Sequence, residues 1–168
     1  MNTAMLIVTT ASVEQTRAVA AAVCALCEPG DLVLLVGELG AGKTAFAQGF
    51  GRALGVRETI TSPTFTLARQ YDGRLRLHHL DVYRLEQIGE TLDLDLPELL
   101  DGDTVTLIEW GDAIVPVLPP DYLEICLTFG DGDDDRVMEL RPVGPRWGRR
   151  EAALERALGS VSESDPSC

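Results

Sequence analysis

The stretch GELGAGKT, residues 37–44, decides how the rest of the chain is interpreted. It matches the phosphate-loop pattern G-x-x-x-x-G-K-[ST], with Gly37, Gly42, Lys43 and Thr44 at the fixed positions. Lys43 is the only lysine among the 14 basic residues, and all the others are arginines. A compact ammonium group on a thin stem suits the outer phosphates of a nucleotide, whereas the wide planar fork of arginine substitutes poorly there. The predicted phosphate contacts are Gly37, Glu38, Leu39, Gly40, Ala41, Gly42, Lys43 and Thr44.

The residues on either side of the loop indicate a buried strand and a helix. LVLLV, residues 32–36, is apolar at every position, as expected of a strand that is covered on both faces of a parallel sheet. The sequence from Lys43 to Leu54 has helical spacing and is followed by Gly55, a residue typical of helix ends. The first turn of a helix offers free N–H groups and a positive partial charge, so this order of elements favours phosphate binding.

The remaining sequence adds further strands, helices and hairpins to this unit. Ser12 and Gln15 form a capping box, which predicts a helix that ends near Leu26. Together the elements predict an α/β fold of the P-loop NTPase class, with a mixed, centrally parallel sheet flanked by helices, plus antiparallel hairpins. We expect one ATPase domain over residues 1–145, followed by a short helix and a flexible tail over residues 146–168. The other predicted elements are a strand over residues 5–9, a hairpin with a two-residue turn at Asp72 and Gly73, a helix over residues 85–100, a strand over residues 105–109, and a late hairpin within residues 123–142.

Composition argues against several classes of protein. The formal net charge of -13 opposes close approach to a nucleic-acid backbone. No apolar run approaches the ~20 residues that span a bilayer, and the N-terminus lacks the pattern of a signal peptide, so we expect a cytoplasmic protein without membrane association. Cys24 and Cys27 form a C-x-x-C sequence, but no second pair stands at metal-ligand spacing. We interpret the two cysteines as buried thiols on a helix.

A phosphate loop of this kind uses Mg²⁺, which Thr44 is placed to bind through its hydroxyl group. The second metal ligand should be an acid at the end of a neighbouring strand, and there are two candidates. Glu109 ends the more deeply apolar strand and is the predicted ligand, whereas Asp81 ends a hairpin arm and is expected near the γ-phosphate. The chain contains no N-K-x-D or T-K-x-D sequence, which counts against GTP, so ATP is the expected nucleotide.

Four motifs occur in one order along the chain: the loop at 37–44, TSPTF at 61–65, HLDVYR at 79–84 and IEW at 108–110. Together they resemble the TsaE (YjeE) family over about residues 5–142. The resemblance implies a small P-loop ATPase that takes part in making the threonylcarbamoyladenosine (t6A) modification of tRNA. It also implies partners, namely TsaD-like and TsaB-like proteins of the t6A complex, with tRNA engaged only indirectly.

The resemblance also assigns roles to individual residues. Lys43 and Thr44 correspond to the contacts with phosphate and Mg²⁺. Glu109 corresponds to the second metal ligand, and Asp81 to a residue needed for hydrolysis. Ser12, at the start of the first helix, corresponds to a nucleotide contact. A segment that resembles a switch beside the γ-phosphate, with neighbours in the same region, comprises Thr61, Ser62, Pro63, Thr64, Phe65, Tyr83, Arg84 and Trp110.

Simpler interpretations remain open for several of these residues. Ser62 and Pro63 could form a turn before a strand, because proline restricts the residue before it to extended conformations. His79 could be a structural histidine with satisfied hydrogen bonds, and Tyr83 and Trp110 could be core aromatics. For the function, the alternatives are a small-molecule kinase that uses the same loop and a nucleotide-gated scaffold without significant turnover.

Overall fold

The computed structural model describes residues 5–38, 40–61, 68–81, 102–109, 115–116 and 118–163. The predicted helix over residues 85–100 lies outside them. The strands in these residues are β1 (Leu6–Thr10), β2 (Asp31–Gly37), β3 (Ala68–Asp72), β4 (Arg76–Asp81), β5 (Thr104–Glu109), β6 (Tyr122–Phe129) and β7 (Arg136–Val143). The helices are α1 (Val13–Leu26), α2 (Lys43–Leu54), α3 (Pro145–Gly148) and α4 (Glu151–Glu163). Of the helices described, none is long and apolar enough to cross a membrane.

The seven strands of the described chain join in one sheet, in the order β1-β7-β6-β2-β5-β4-β3. The central strands β6, β2, β5 and β4 are parallel to one another, and antiparallel strands complete both edges. Both faces of a parallel sheet are normally covered, which explains why β2 is an almost continuous apolar run and why every residue of β5 is buried. The architecture confirms the predicted α/β fold with a centrally parallel sheet.

Alternate side chains of the central strands point to opposite faces of the sheet. The larger cluster of buried apolar side chains lies between the sheet and helices α1, α2 and α4, and it includes Val33 and Leu35 of β2. Leu32 and Leu34, which alternate with these residues, belong to a second cluster on the opposite face. The face that carries Leu35 is therefore the face on which α2 packs.

The predicted helix ends are confirmed by the contacts that form them. The Ser12 hydroxyl oxygen accepts a hydrogen bond from the N–H of Gln15 at 3.2 Å. In return, the side chain of Gln15 accepts from the N–H of Ala11 at 2.6 Å, which completes a capping box displaced by one residue. Gly55 follows α2 with a φ of 91°, a left-handed conformation that glycine adopts without strain.

Helices α1 and α2 approach each other closely where α2 carries glycine. A Cβ atom at Gly49 would lie 2.6 Å from the Cα atom of Arg17 in the backbone of α1. A Cβ atom at Gly51 would collide with the side chain of Ile60. Glycine inside a helix costs about 1 kcal/mol relative to alanine. Here that cost is offset because the two glycines allow α2 to pack against its neighbours.

The hairpin of β3 and β4 turns differently from the prediction. Asp72 pairs with Arg76, so three residues connect the strands, and the prediction of a two-residue turn at Asp72 and Gly73 is wrong. The N–H of Arg74 donates to the carbonyl of Leu54 at 2.7 Å, which docks the turn on the end of α2. A Cβ atom at Gly73 would lie 2.6 Å from the same carbonyl oxygen. Glycine is needed there for this close approach rather than for a tight two-residue turn.

The C-terminal helix α4 packs against α1, and its residues Leu154 and Leu158 are buried in the larger core cluster. Arg150, just before α4, donates to both carboxylate oxygens of Asp31 at 2.6 and 2.8 Å. Its guanidinium carbon also lies 4.1 Å from the ring centre of the buried Trp147. These contacts fix the C-terminal segment to the start of β2. The division of the chain at residue 145 stays a prediction.

Replacing Gly49 with alanine tests the contact between α1 and α2. We expect Gly49→Ala to lower the free energy of unfolding by about 1–3 kcal/mol, as overpacking does, because its methyl group meets the backbone of α1. Urea denaturation measures the change. The control is Gly159→Ala in α4, where no neighbouring group in the described chain lies within 4 Å of the added Cβ atom. In that variant the free energy of unfolding should rise by up to ~1 kcal/mol. Equal changes in the two variants would contradict the close contact.

Candidate functional site

The loop between β2 and α2 depends on glycine at two positions. Gly37 ends β2, and a Cβ atom there would lie 2.5 Å from the carbonyl oxygen of Leu127 on β6. Gly42 precedes α2 with a φ of 109°, in the left-handed region that side chains disfavour. Gly42 has no side chain that could cap the first turn of α2. The first turn of a helix directs backbone N–H groups outward, which is the arrangement that binds anions.

The ammonium group of Lys43 lies over the first residues of the loop. Lys43 is only 5% exposed. Its Nζ atom donates to the carbonyl oxygen of Gly37 at 2.6 Å and to that of Glu38 at 2.8 Å. These backbone acceptors compensate the ammonium group for its burial. They hold a positive charge between the end of β2 and the start of α2.

Arg136 of β7 holds the second half of the loop. Its Nε atom donates to the carbonyl of Ala41 at 3.1 Å, and one terminal nitrogen donates to that of Gly40 at 3.4 Å. The guanidinium carbon lies 4.8 Å from the ring centre of Phe129. Sequence analysis missed this role, because 95 residues separate Arg136 from Ala41. The loop is thus fixed by cationic donors in both halves.

A cavity of about 460 Å³ is lined in part by Arg136, which bonds to the second half of the loop. Phe129, which is 49% exposed, and Arg136 form part of its wall. Ala11 and Gln15 line it from the turn between β1 and α1. Ser12, the predicted nucleotide contact, lies in this turn, and its hydroxyl oxygen caps α1. An exposed aromatic ring next to a guanidinium group suits a flat heterocycle.

Glu109 and Asp81 end neighbouring strands beside the loop. In the parallel register, Asp81 lies opposite Glu109, and Glu109 lies opposite Leu35 of β2. Opposite residues of parallel strands share a face, so both acids lie on the face of Leu35, which α2 covers. Thr44 lies in the first turn of α2 on that side. The structure therefore places the loop, the first turn of α2 and two acids at the carboxyl ends of neighbouring strands.

A buried histidine accompanies the two acids. His79 of β4 is fully buried, and its Nε2 atom lies 2.7 Å from Oε2 of Glu109, which is 2% exposed. The simpler interpretation, a structural histidine with satisfied hydrogen bonds, holds for Nε2 but not for Nδ1, which has no partner among the described residues. Strand alternation could have found this contact, since His79 precedes Asp81 by two residues and shares its face.

Of the predicted switch-like segment, the structure describes Thr61 alone. Thr61 is exposed, and its hydroxyl oxygen accepts a hydrogen bond from Arg69 at 3.0 Å. The roles proposed for the switch-like segment stay predictions. The predicted site residues that lie outside the described residues are Leu39, Ser62, Pro63, Thr64, Phe65, Tyr83, Arg84 and Trp110.

The cysteine pair takes no part in the site. Cys24 lies in α1, and Cys27 is the first residue after this helix. Both are buried free thiols. Burial raises the pKa of Cys24, although Arg74 opposes the shift. Burial, with a further contribution from Asp31, raises the pKa of Cys27 well above its ordinary value. Redox and metal chemistry need the thiolate. The predicted burial of both thiols is confirmed, but Cys27 lies just after the helix rather than on it.

A phosphate loop between a parallel strand and a helix, with acids at the ends of adjacent strands, defines a P-loop protein. Comparison with known proteins gives the family. The model of the family "Threonylcarbamoyl adenosine biosynthesis protein TsaE" matches residues 10–138. The chain therefore belongs to the TsaE family, as its four motifs suggested.

Individual relatives agree with this assignment over most of the chain. The TsaE protein of Bacillus subtilis (strain 168) is 43% identical over 139 residues, which cover 82% of this chain and 86% of the relative. That of Streptomyces coelicolor is 42% identical over 137 residues, covering 77% and 91%. The crystal structure of Bacillus subtilis YdiB matches with a TM-score of 0.75 and 36% identity, covering 96% of this chain and 99% of that one.

Replacing Arg136 with leucine tests how the loop is held. We expect Arg136→Leu to speed amide hydrogen exchange at Ala41, whose N–H donates to the carbonyl of Glu38 at 3.0 Å, about tenfold, because the charged donor that holds the loop is lost. Exchange followed by mass spectrometry measures the effect. The control is Arg141→Leu, since the guanidinium group of Arg141 bonds to Glu124 elsewhere on the sheet. Unchanged protection of the loop in Arg136→Leu would refute the bracing role.

Proposed function

We propose that this protein binds ATP and hydrolyses it as an accessory component of tRNA t6A modification. The observation that carries the proposal is the loop with Lys43 folded over it, beside Glu109 and Asp81 at adjacent strand ends. Membership of the TsaE family supports the pathway, because the curated relatives are named tRNA threonylcarbamoyladenosine biosynthesis proteins. In this proposal, partner proteins catalyse the formation of the t6A modification itself. The cytoplasmic location expected from the sequence belongs to the same proposal.

The oxygen donors beside the loop fit Mg²⁺. Thr44 would contribute its hydroxyl group and Glu109 its carboxylate. Mg²⁺ usually keeps several waters and takes only one or two protein carboxylates together with substrate phosphates. Bound Mg²⁺ would neutralise charge that develops on the phosphates during hydrolysis.

Asp81 and the cavity complete the proposed ATP site. Asp81 is half-buried and lies one strand further from the loop than Glu109. We assign it to the orientation of the attacking water rather than to the metal. The base of ATP would occupy the cavity beside Phe129 and Arg136, because Arg136 also bonds to the loop and Phe129 offers an aromatic surface.

The proposed partners are TsaD-like and TsaB-like proteins, with tRNA engaged through them. A net charge of -13 repels a tRNA backbone. The sequence concentrates arginines only near its C-terminus, and two of these arginines bond to other groups of the protein. Arg150 pairs with Asp31, and Arg146 donates to the carbonyl of Pro29 at 2.6 Å. Protein docking is therefore favoured over direct contact with nucleic acid.

Removing the ammonium group of Lys43 tests the nucleotide site. Lys43→Ala should weaken ATP binding about tenfold or more, because a charge-assisted contact is worth roughly 1.5–3 kcal/mol. Isothermal titration calorimetry gives the dissociation constants. Arg52→Ala, at the exposed end of the same helix, is the control and should bind ATP as the parent does. If Lys43→Ala binds ATP as tightly as the parent, the loop assignment is wrong.

The step after binding is tested by Asp81→Asn, assayed for ATP hydrolysis with each partner protein added in turn. We expect weak hydrolysis by the parent alone and stimulation by the partners. In Asp81→Asn, turnover should fall much more than ATP affinity, because a water-positioning residue acts mainly in the transition state. ATP binding without turnover under every condition would favour the scaffold alternative. Equal loss of affinity and turnover would place Asp81 among the ground-state contacts.

A further inference from the structure

The hydrogen bond between His79 and Glu109 joins the two strands that end in the candidate acids. We propose that His79 is a positioning residue, which fixes the Glu109 carboxylate so that its second oxygen faces the metal. The inference rests on the proposed function, in which Glu109 binds Mg²⁺. It adds a residue to the site that neither the phosphate-loop pattern nor the assigned metal ligands include.

The two carboxylate oxygens of Glu109 have different hydrogen-bond partners. Oε2 accepts the hydrogen bond from Nε2 of His79 at 2.7 Å. Oε1 makes no hydrogen bond within the part of the chain that the structure describes. Since the side chains are 0% and 3% exposed, water does not readily replace the imidazole as donor. A buried carboxylate that lost this donor would reorient or accept a different partner.

The strand register explains why a histidine at this position reaches Glu109. His79 lies opposite Leu107, two residues before Glu109, and on the same face. An imidazole side chain is long enough to span this diagonal between adjacent strands. The contact therefore ties the end of β5 to the end of β4, where Asp81 lies opposite Glu109. Through this contact His79 also constrains the separation of the two acids.

The other ring nitrogen supports a role beyond core filling. Nδ1 of His79 is buried and has no hydrogen-bond partner among the described residues. A buried polar atom without a partner costs free energy, so an apolar side chain would be the better choice for packing alone. The useful contact of this ring is the bond from Nε2 to Glu109. Carboxylates that bind metals are commonly held by such outer hydrogen bonds.

Three variants separate positioning from packing. His79→Leu fills the space without a donor, whereas His79→Gln retains an N–H donor. His78→Leu is the matched control, because His78 is adjacent in sequence but points to the opposite face of β4. Calorimetry with a non-hydrolysable ATP analogue, in Mg²⁺ and in EDTA, gives the factor by which Mg²⁺ strengthens binding. Thermal unfolding of each variant reports whether the fold is kept.

We expect His79→Leu to bind the analogue as the parent does in EDTA but to lose about tenfold or more of the Mg²⁺ effect. His79→Gln should recover part of it, and His78→Leu should match the parent. An unchanged Mg²⁺ effect in a folded His79→Leu would overturn the inference while leaving the metal site intact. A parent whose affinity is the same in Mg²⁺ and EDTA would overturn the metal site itself and this role with it.

A measurement on the unmodified chain covers the case in which His79→Leu fails to fold. The protein contains only two histidines, so ¹⁵N-histidine labelling gives few signals, and His78→Leu assigns them. Adding Mg²⁺ to the complex with the ATP analogue should shift the Nε2 signal of His79, because its carboxylate partner then binds a cation. An Nε2 signal that does not move when Mg²⁺ binds would overturn the coupling.

Discussion

The parallel register of β2, β5 and β4 is the constraint on which the site depends. It sets Leu35, Glu109 and Asp81 side by side. Leu35 lies two residues before the loop, which begins at Gly37. The same register buries the apolar side chains of these strands against α2. A shift of one residue in β5 would turn Glu109 and the apolar side chains of the strand to the opposite faces of the sheet. Core packing and site geometry are therefore specified by one pattern.

Three cationic side chains hold separate segments of this acidic protein in place. Lys43 and Arg136 hold the loop through its own carbonyl groups, and Arg150 fixes the C-terminal segment to the buried Asp31. Hydrogen bonds from charged donors are stronger than those between neutral groups. The bonds from Lys43 and Arg136 stabilise the glycine-rich loop, which has little side-chain packing of its own.

Local patterns in the sequence predicted much of the fold and the centre of the site. The strand before the loop, the capping box of Ser12 and the helix from Lys43 to Leu54 are each encoded within a few residues, and the structure confirms them. The hairpin turn was mispredicted because Gly73 docks on α2, a contact that the local sequence does not reveal.

Other features depend on residues far apart in the chain. Arg136 reaches the loop across 95 residues, and Arg150 reaches Asp31 across 119. The bond between His79 and Glu109 spans 30 residues and needs the pairing of β4 with β5. Strand alternation gives the faces of these residues, but only the sheet order shows which strands are neighbours. That order is the information a single sequence lacked.

The central claim is that the loop and Glu109 together hold the metal and phosphates of ATP. A crystal structure of the chain with a non-hydrolysable ATP analogue and Mn²⁺ tests it most directly, because anomalous scattering locates the metal. The account predicts a metal bound by the Thr44 hydroxyl group, one carboxylate oxygen of Glu109 and phosphate oxygens. A metal bound by Asp81 instead, or phosphates placed away from the loop, would contradict it.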